Sequence, residues 1–464
     1  MRDFSKFVVR WVTSDDRNEE RSAQAFRARR IQLRKVDIFY SRFRSWLISF
    51  SSKRRAVSLS LAEEAETAVF PREGARVSYG LSWALAGRGV IVKDKAFHNL
   101  KSTELQQKGA TSAERLSGLP IHIRGNATEG ASEITKAQFS KLLKQVTSHI
   151  SSISNVFVHD GAVGSYAKCD AKVRIISDSP TAVFSLSNVL WTTSTRAVSH
   201  DSCPLTVYVA TSMSPTIGEA IGLGSHSNAG FLAADIERSS LILCGKAFAD
   251  TDGLKDALAA MAAPVITARG GLPLSARFLV SGDSVILLFA PEDTIQSCAG
   301  LRVILASTDA GVVLSSHGVA PLFQTKDSDA PIFKLPASVI LAAADSSGAL
   351  PSVSKLSPGQ AAYHFLAGYQ NGKFVPAYRK GPSPLDALEL SKALLSQLKE
   401  NEIPSFLVNV MEGEKHITGN ALVNLVESTL LKSIPPFECK GDTQGKYKSF
   451  ISCKYQGLPE EFSF

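Results

Sequence analysis

The spacing of apolar residues along the chain predicts a mixture of amphipathic helices and buried strands. Apolar positions recur every three or four residues near Leu81 and Leu105 and over residues 136–150, 387–398 and 420–431, which is the period of a helix with one buried face. Short alternating or wholly apolar runs predict strands, and they lie at residues 89–92, 155–160, 172–177, 282–288, 301–305, 337–344 and 406–410. We therefore predict an α/β fold.

Charge is distributed unevenly along this chain. Residues 1–60 contain 15 Lys and Arg against 6 Asp and Glu, whereas the remaining 404 residues contain 36 against 37. Basic clusters in the first segment are interleaved with aromatic residues. Because Arg and Lys neutralise phosphates and aromatic rings stack on bases, the segment favours docking on RNA or on a large assembly. The candidate contacts are Arg10, Trp11, Arg27, Arg29, Arg30, Arg34, Lys35, Arg42, Arg44, Trp46, Lys53, Arg54 and Arg55.

Two other interpretations of residues 1–60 remain open. A mitochondrial targeting segment is also rich in arginine and amphipathic, and a solvated tail is the third possibility. Asp15, Asp16, Glu19 and Glu20 count against targeting, because targeting segments are poor in acidic residues. Only the docking interpretation predicts that the segment folds on a partner.

Composition excludes several other classes of protein. A chain of 464 residues with 44% hydrophobic content is long enough for two domains. Its six cysteines form no C-x-x-C pair, which argues against a disulfide framework or a zinc knuckle. No apolar run approaches the roughly 20 residues needed to cross a bilayer, so we expect a soluble or peripheral protein.

His159 and Asp160 adjoin in a predicted strand and point to opposite faces, which predicts structural roles for both.

Residues 348–369 form the most informative stretch of the chain. They read G-A-L-P-S-V-S-K-L-S-P-G-Q-A-A-Y-H-F-L-A-G-Y, follow a predicted strand and lead into a helix capped by Ser357 and Pro358. The stretch resembles the G-V-L-P-P-V-S-x-L run of the ATP-dependent phosphoenolpyruvate carboxykinases. The resemblance implies a two-domain carboxykinase-like fold with mixed sheets. We expect a basic extension at 1–60, an N-terminal domain at 61–262 and a degenerate nucleotide-binding-like domain at 263–464.

The resemblance also identifies positions where this chain departs from the family. Leu119 stands where the family has the arginine that contacts the carboxylate substrate. Ala247, Asp252 and Gly253 stand in place of the substrate tyrosine and of two lysines that bind metal and substrate anion, and Pro273 replaces a metal-binding histidine. Leucine, alanine and proline side chains supply neither a charge nor a donor atom, so the family's substrate and metal groups are lost.

The phosphate loop that the resemblance implies is also replaced. Such a loop needs glycines that let backbone amides approach the phosphates and a lysine to balance their charge. Here Ile295 stands at the lysine position, and Glu292 and Asp293 would repel a triphosphate. Asp309 is the one carboxylate near the family's paired metal-binding aspartates, and we expect it to be a turn residue.

A short loop, residues 370–382, follows the family-like stretch. The family carries a further substrate and nucleotide segment here, whereas this loop contains glycine and proline around Tyr378, Arg379 and Lys380. We expect these three side chains to be exposed, either in a solvated loop or in contact with a partner.

Retained core positions together with lost site residues predict a pseudoenzyme that has no catalytic, cofactor-binding or metal-binding residues. Our leading hypothesis is a structural subunit of a large ribonucleoprotein, with the mitochondrial ribosome as the favoured assembly, contacting RNA and protein through residues 1–60. The alternative is a scaffold or accessory subunit of a mitochondrial respiratory or ATP-synthase complex. A third hypothesis is a divergent enzyme or ligand sensor that uses the old cleft. The basic start of the chain is compatible with a mitochondrial location.

Overall fold

The computed structural model describes residues 79–125, 132–193, 203–224, 229–291, 295, 310–324, 331–370, 372–379, 381–417, 420–429, 434–438 and 442–464. All of them lie in the compact unit Ala75–Phe464. The predicted extension at residues 1–60, the predicted strand at residues 301–305 and Asp309 lie outside the described residues. Within the described residues, no helix is long and apolar enough to span a bilayer.

The largest sheet is mixed. Its main path runs β1-β4-β5-β7-β9-β8-β2-β3, and β6 pairs with β4. The pairs β4–β5, β8–β9 and β4–β6 are antiparallel and the other pairs are parallel. The strands are β1 (Lys95–His98), β2 (Ile121–Arg124), β3 (Ser132–Glu133), β4 (Asn155–Val163), β5 (Ala171–Ser177), β6 (Trp191–Thr192), β7 (Leu205–Ala210), β8 (Gly230–Asp235) and β9 (Ser240–Gly245).

Helices cover both faces of this sheet because its strands alternate apolar side chains between two cores. On β4, Val156 and Val158 enter one core and Phe157 enters the other. The first core also contains α1 (Tyr79–Ala86) and α3 (Lys136–Ser152), and the second contains α2 (Ser102–Gln107), α4 (Pro180–Ser187) and α6 (Thr251–Ala268). The short helix α5 (Ile217–Ala220) precedes β8.

A second mixed sheet follows in the chain. Its order is β11-β12-β15-β19-β16, with a parallel centre and antiparallel edges. The strands are β11 (Arg277–Ser281), β12 (Ser284–Phe289), β15 (Ser338–Ala343), β16 (Val353–Leu356) and β19 (Ser405–Asn409). The helices α7 (Pro358–Leu366), α8 (Ala387–Glu400) and α10 (Thr443–Lys454) pack on one face, and α9 (Asn420–Ser428) packs on the other. These mixed sheets confirm the predicted fold class.

A three-stranded antiparallel sheet joins the two large cores. It consists of β10 (Leu272–Leu274), β13 (Val312–Ser315) and β14 (Gly318–Pro321). Val313 packs into the core of the first sheet, whereas Val312 and Leu314 pack into the core of the second. The remaining pairs are β17 (Gly368–Gln370) with β18 (Lys373–Val375) and β20 (Met411–Glu412) with β21 (Lys415–His416).

Most predicted elements are present, and one is wrong. The predicted strand at residues 89–92 is absent. Gly89 and Val90 close the turn after α1, and the strand is β1, which begins six residues further on. Pairing with β4 in the register Lys95↔Asn155 fixes its position. The predicted domain boundary at 262/263 falls within α6, and the division into domains stays a prediction.

Candidate functional site

A cleft of about 1400 Å³ opens beside the three-stranded sheet and α6. Its walls come from the start and middle of α6, from β10, from the chain after β12 and from residues 375–385. Several positions where the resemblance implies substrate or metal groups lie in or beside this cleft. Asp252 and Pro273 line the cleft, Gly253 is buried beside it, and Ala247 is buried in the 3-10 turn Ala247–Ala249.

The start of α6 is fixed by a buried carboxylate. Asp250 is 1% exposed and caps the helix by accepting a hydrogen bond from the Gly253 amide at 3.0 Å. Its second oxygen accepts one from the Leu119 amide at 2.8 Å. The backbone amides of Leu119 and Gly253, two of the substituted positions, are thus both hydrogen-bonded to the Asp250 carboxylate.

Charged side chains of both signs line the cleft. The basic ones are Arg115, Lys255, Arg277 and Arg379, and the acidic ones are Asp252 and Asp256. Arg115 donates to both carboxylate oxygens of Asp252 at 2.9 and 3.1 Å. Desolvation in the cleft, reinforced by Asp252 and Asp250, raises the pKa of Asp256 to about 6. The cleft therefore offers a mixed charge pattern with an aspartate that titrates near neutrality.

The described residues of the cleft do not fit the metal centre that the resemblance implies. Pro273 lies on β10 and faces the cleft without a donor atom. Within the part of the chain that the structure describes, no three His, Cys, Asp or Glu residues come together to hold a metal ion. We derive no step through a metal.

The position of the phosphate-loop lysine lies in the hydrophobic core. After β12, Ala290 and Pro291 line the cleft, and the Ile295 amide donates to the Pro291 carbonyl at 3.3 Å. Ile295 is 3% exposed and packs in the apolar cluster on the α9 side of the second sheet, which includes Leu288 and Ile340. Glu292 and Asp293 lie outside the described residues. A side chain at position 295 faces apolar neighbours, which do not suit a lysine or a phosphate.

The family-like stretch is held by structural hydrogen bonds. Ser357 caps α7 and pairs with Gln360 in a capping box, with Pro358 in the first turn, as predicted. Asp345, 3% exposed, accepts hydrogen bonds from the amides of Ala349 and Leu350, each at 2.9 Å. Although burial raises its pKa, hydrogen bonds from Ser347 and these amides hold the pKa of Asp345 below its usual value. The turn that starts the stretch therefore serves the fold.

His159 and Asp160 have separate structural environments, as predicted. Asp160 accepts hydrogen bonds from Arg174 at 2.7 and 2.8 Å and lies 3.0 Å from His98 Nε2. Although burial opposes ionisation, these two partners lower the pKa of Asp160. Both ring nitrogens of His159 are without a hydrogen-bond partner, and burial lowers its pKa to about 4. The two residues do not form an acid/base pair.

The predicted exposure of Tyr378 is wrong. Tyr378 is 7% exposed, and its hydroxyl donates to the carbonyl of Ala342 at 2.8 Å. Burial raises the pKa of this hydroxyl. Arg379 is half-buried and lines the cleft, whereas Lys380 lies outside the described residues. The tyrosine is held by β15, through a residue 36 positions earlier in the chain. The composition of the loop gives no sign of this contact.

A serine, a histidine and an aspartate meet at the ends of α3, β5 and β7 without forming a catalytic triad. Ser212 Oγ donates to Asp178 at 2.6 Å, and His149 Nε2 lies 2.9 Å from Ser212 Oγ and 3.5 Å from Asp178. A triad needs the aspartate on the second ring nitrogen. Since both contacts use Nε2, this cluster has no nucleophile-activating geometry.

Sequence reasoning missed the basic lining of the cleft. Arg115 and Lys255 belong to no motif, and only the fold brings them together with Arg379. All of the candidate partner contacts named above, from Arg10 to Arg55, lie outside the described residues, so that prediction stays a prediction.

Comparison with known proteins supports the resemblance over part of the chain. The profile of the phosphoenolpyruvate carboxykinase family matches residues 320–381. The ATP-dependent phosphoenolpyruvate carboxykinase of Bradyrhizobium sp. strain BTAi1 is 33% identical over 147 residues, which cover 27% of each chain. The enzyme of the same name from Bacillus cytotoxicus is 34% identical over 87 residues, covering 16% of each. The chain thus spans about a quarter or less of the length of these curated relatives.

Proposed function

We propose that this chain, which belongs to the phosphoenolpyruvate carboxykinase (ATP) family, is a non-catalytic member of it that serves as a structural subunit of a large ribonucleoprotein. The mitochondrial ribosome is the assembly that we favour. The named relatives are carboxykinases. A shared fold does not by itself give this chain the same function, because function depends on the residues of the site.

The observation that carries the loss of catalysis is the packing of Ile295. Phosphoryl transfer depends on positioned positive charge and metal around the phosphates. At the position where the resemblance implies the lysine, Ile295 is buried in an apolar cluster. Pro273 at the implied metal position supports the same conclusion, because it faces the cleft without a ligand atom.

The charge partition supports the role in an assembly. Residues 1–60 carry 15 basic and 6 acidic residues, and the rest of the chain is nearly neutral with 36 and 37. A fold without its original site that carries a basic, aromatic-rich segment suits a protein whose surface is used. The same segment also suits a scaffold or accessory subunit of a mitochondrial respiratory or ATP-synthase complex, and the sensitivity of the assembly to RNase separates the two.

A charge-neutralised full chain tests the proposal. Arg27, Arg29, Arg30, Arg34 and Lys35 are replaced together by glutamine, and the incorporation of the tagged protein into large assemblies is measured in cells. The matched control replaces five exposed lysines of the body, Lys355, Lys373, Lys415, Lys446 and Lys448. We expect the first variant to lose most of its incorporation and the control to retain it.

Deletion of residues 1–60 gives a second variant for the same measurement. We expect it to abolish incorporation. Normal incorporation of both the neutralised and the truncated chain would contradict the docking role of the segment.

A further inference from the structure

The face of the large sheet that α1 and α3 cover carries unpaired positive charge. The helix α3 contains Lys136, Lys141 and Lys144 and no acidic residue. All three lysines are exposed, and none forms an ion pair within the described residues. Lys141 and Lys144 lie on the side of α3 opposite Leu142 and Val146, which are buried in the core. The outer side of α3 is therefore a basic surface.

The two most exposed large apolar side chains of the described residues lie on α1 and the segment that follows it. Trp83 is 77% exposed and Ile91 is 63% exposed. This segment packs beside α3, because Leu81, Leu85 and Val90 share a core with Phe139 and Val146. The amide of Ile91 donates to Ser151 Oγ on α3 at 2.9 Å. Trp83 and Ile91 thus belong to the same side of the molecule as the α3 lysines.

The chain after Ile91 extends the basic surface. Lys93 is exposed beside Asp94. The short helix α5 contributes the exposed Glu219 near the start of α3, where Gln138 donates to the carbonyl of Gly222 at 3.0 Å. Lysine still predominates. We call this surface the Trp83 face, and it consists of Trp83, Ile91, Lys93, Lys141 and Lys144.

We infer that the Trp83 face binds single-stranded RNA, an inference that rests on the proposed role in a ribonucleoprotein. Lysines at this spacing balance backbone phosphates, and an exposed indole offers a flat surface on which a base stacks. Lys141 and Lys144 are separated by a rise of about 4.5 Å along the helix. The face therefore supplies both the charge and the stacking surface of a sequence-tolerant single-strand site.

The composition of the face favours RNA over a membrane. A membrane-surface helix presents a broad apolar face of several large residues, whereas the outer side of α3 presents lysine and serine. One exposed tryptophan among lysines is a poor hydrophobic anchor but a sufficient base platform. An anionic vesicle is accordingly the competing ligand in the test.

The test uses the full chain and a fluorescent 20-nucleotide single-stranded RNA of mixed sequence, titrated at several salt concentrations. Because Trp83 is exposed, Trp83→Ala should leave the thermal unfolding midpoint unchanged. We expect it to weaken RNA binding about fivefold or more without changing the slope of log K against log salt. We expect Trp83→Phe to retain most of the affinity.

The paired change Lys141→Gln with Lys144→Gln should reduce that slope by about 1.4, since each phosphate contact on a single strand contributes about 0.7. The matched control is Lys446→Gln with Lys448→Gln, which removes the same charge from exposed positions on α10. We expect the control to retain both affinity and slope.

The outcomes separate this inference from the proposed function. If the full chain cosediments with RNA assemblies but neither Trp83→Ala nor the α3 pair changes RNA binding, the Trp83 face is not an RNA site, and the ribonucleoprotein role stands. If the full chain binds no RNA and enters no RNase-sensitive assembly, both proposals are wrong. Weakened binding to phosphatidylglycerol vesicles, with unchanged RNA binding, would identify a membrane as the ligand and overturn the inference.

Discussion

The backbone amide of Leu119 donates a hydrogen bond to Asp250 Oδ2 over 2.8 Å. The other oxygen of the same buried carboxylate accepts from the Gly253 amide, so Asp250 joins the loop before β2 to the start of α6. Leu119 and Gly253 stand at positions where the resemblance implies substrate and metal groups. At this edge of the cleft, the chain uses its backbone for internal attachment.

Replacing Asp250 should destabilise the fold. Asp250→Ala removes the cap of α6 and leaves the half-buried Leu119 amide without its acceptor, which together cost about 2–4 kcal/mol. The control is Asp252→Ala, because its ion pair with Arg115 is exposed and should change the free energy of unfolding by less than about 1 kcal/mol. Urea denaturation measures both, and equal effects would contradict the structural role of Asp250.

Substitutions of Ile295 test whether position 295 belongs to the hydrophobic core or to a phosphate-binding loop. Ile295→Lys places an unpaired ammonium in an apolar cluster and should destabilise the protein by several kcal/mol or prevent folding. Ile295→Val should cost only about 1 kcal/mol. Urea denaturation of both variants is the measurement. A stable Ile295→Lys protein that gains affinity for ATP would show that the position faces the cleft.

Nucleotide binding in the manner of the carboxykinases should be absent. We expect ATP at millimolar concentration, with magnesium or manganese, to leave the thermal unfolding midpoint of the full chain unchanged, because only a ligand that binds the folded state raises the midpoint. The positive control is a carboxykinase of the same family measured in parallel. A shift of several degrees in this chain would favour the divergent enzyme or ligand sensor.

His364 should make stability depend on pH. Burial against Phe437, Tyr447 and Phe464 lowers the pKa of His364 to about 3. The unfolded chain, with a histidine pKa near 6.5, therefore binds the proton first, and stability falls as the pH decreases from about 6.5 towards 3. The contribution of this group is about 1 kcal/mol between pH 6.5 and 5.5.

The substitution His364→Phe keeps an aromatic ring in the cluster and removes the titration. We expect a shallower decline of the free energy of unfolding between pH 7 and 5.5, with a residual slope from His159, whose pKa is also lowered, to about 4. Substitution of the exposed His317 by glutamine is the control. An unchanged slope in His364→Phe would contradict the burial of a neutral imidazole.

The sequence predicted elements whose signals are local. Ser357 and Pro358 cap α7 as expected, because capping depends on residues within one turn. The resemblance indicates that position 295 has lost the lysine of the site, but the place of Ile295 in the core depends on β12, β15 and β19, which local sequence does not specify. The predicted exposure of Tyr378 is wrong for the same reason, since its hydrogen-bond partner Ala342 belongs to a distant strand.

The charged lining of the cleft had no local signal. Arg115 and Asp252 are 137 residues apart and form their ion pair only after β2 and α6 come together. Register is equally non-local, which explains why the predicted strand at residues 89–92 differs from the observed β1 at Lys95–His98. Apolar spacing indicated a strand in this region, but only pairing with Asn155 and its neighbours selects which residues form it.

Sedimentation of native mitochondrial lysate in magnesium, with and without RNase, tests the central claim most directly. The chain is followed by mass spectrometry through the gradient. The account predicts comigration with a ribosomal subunit that is lost after RNase treatment. RNase-resistant migration with membrane complexes, or a free position near the monomer mass of 49.8 kDa, would contradict it.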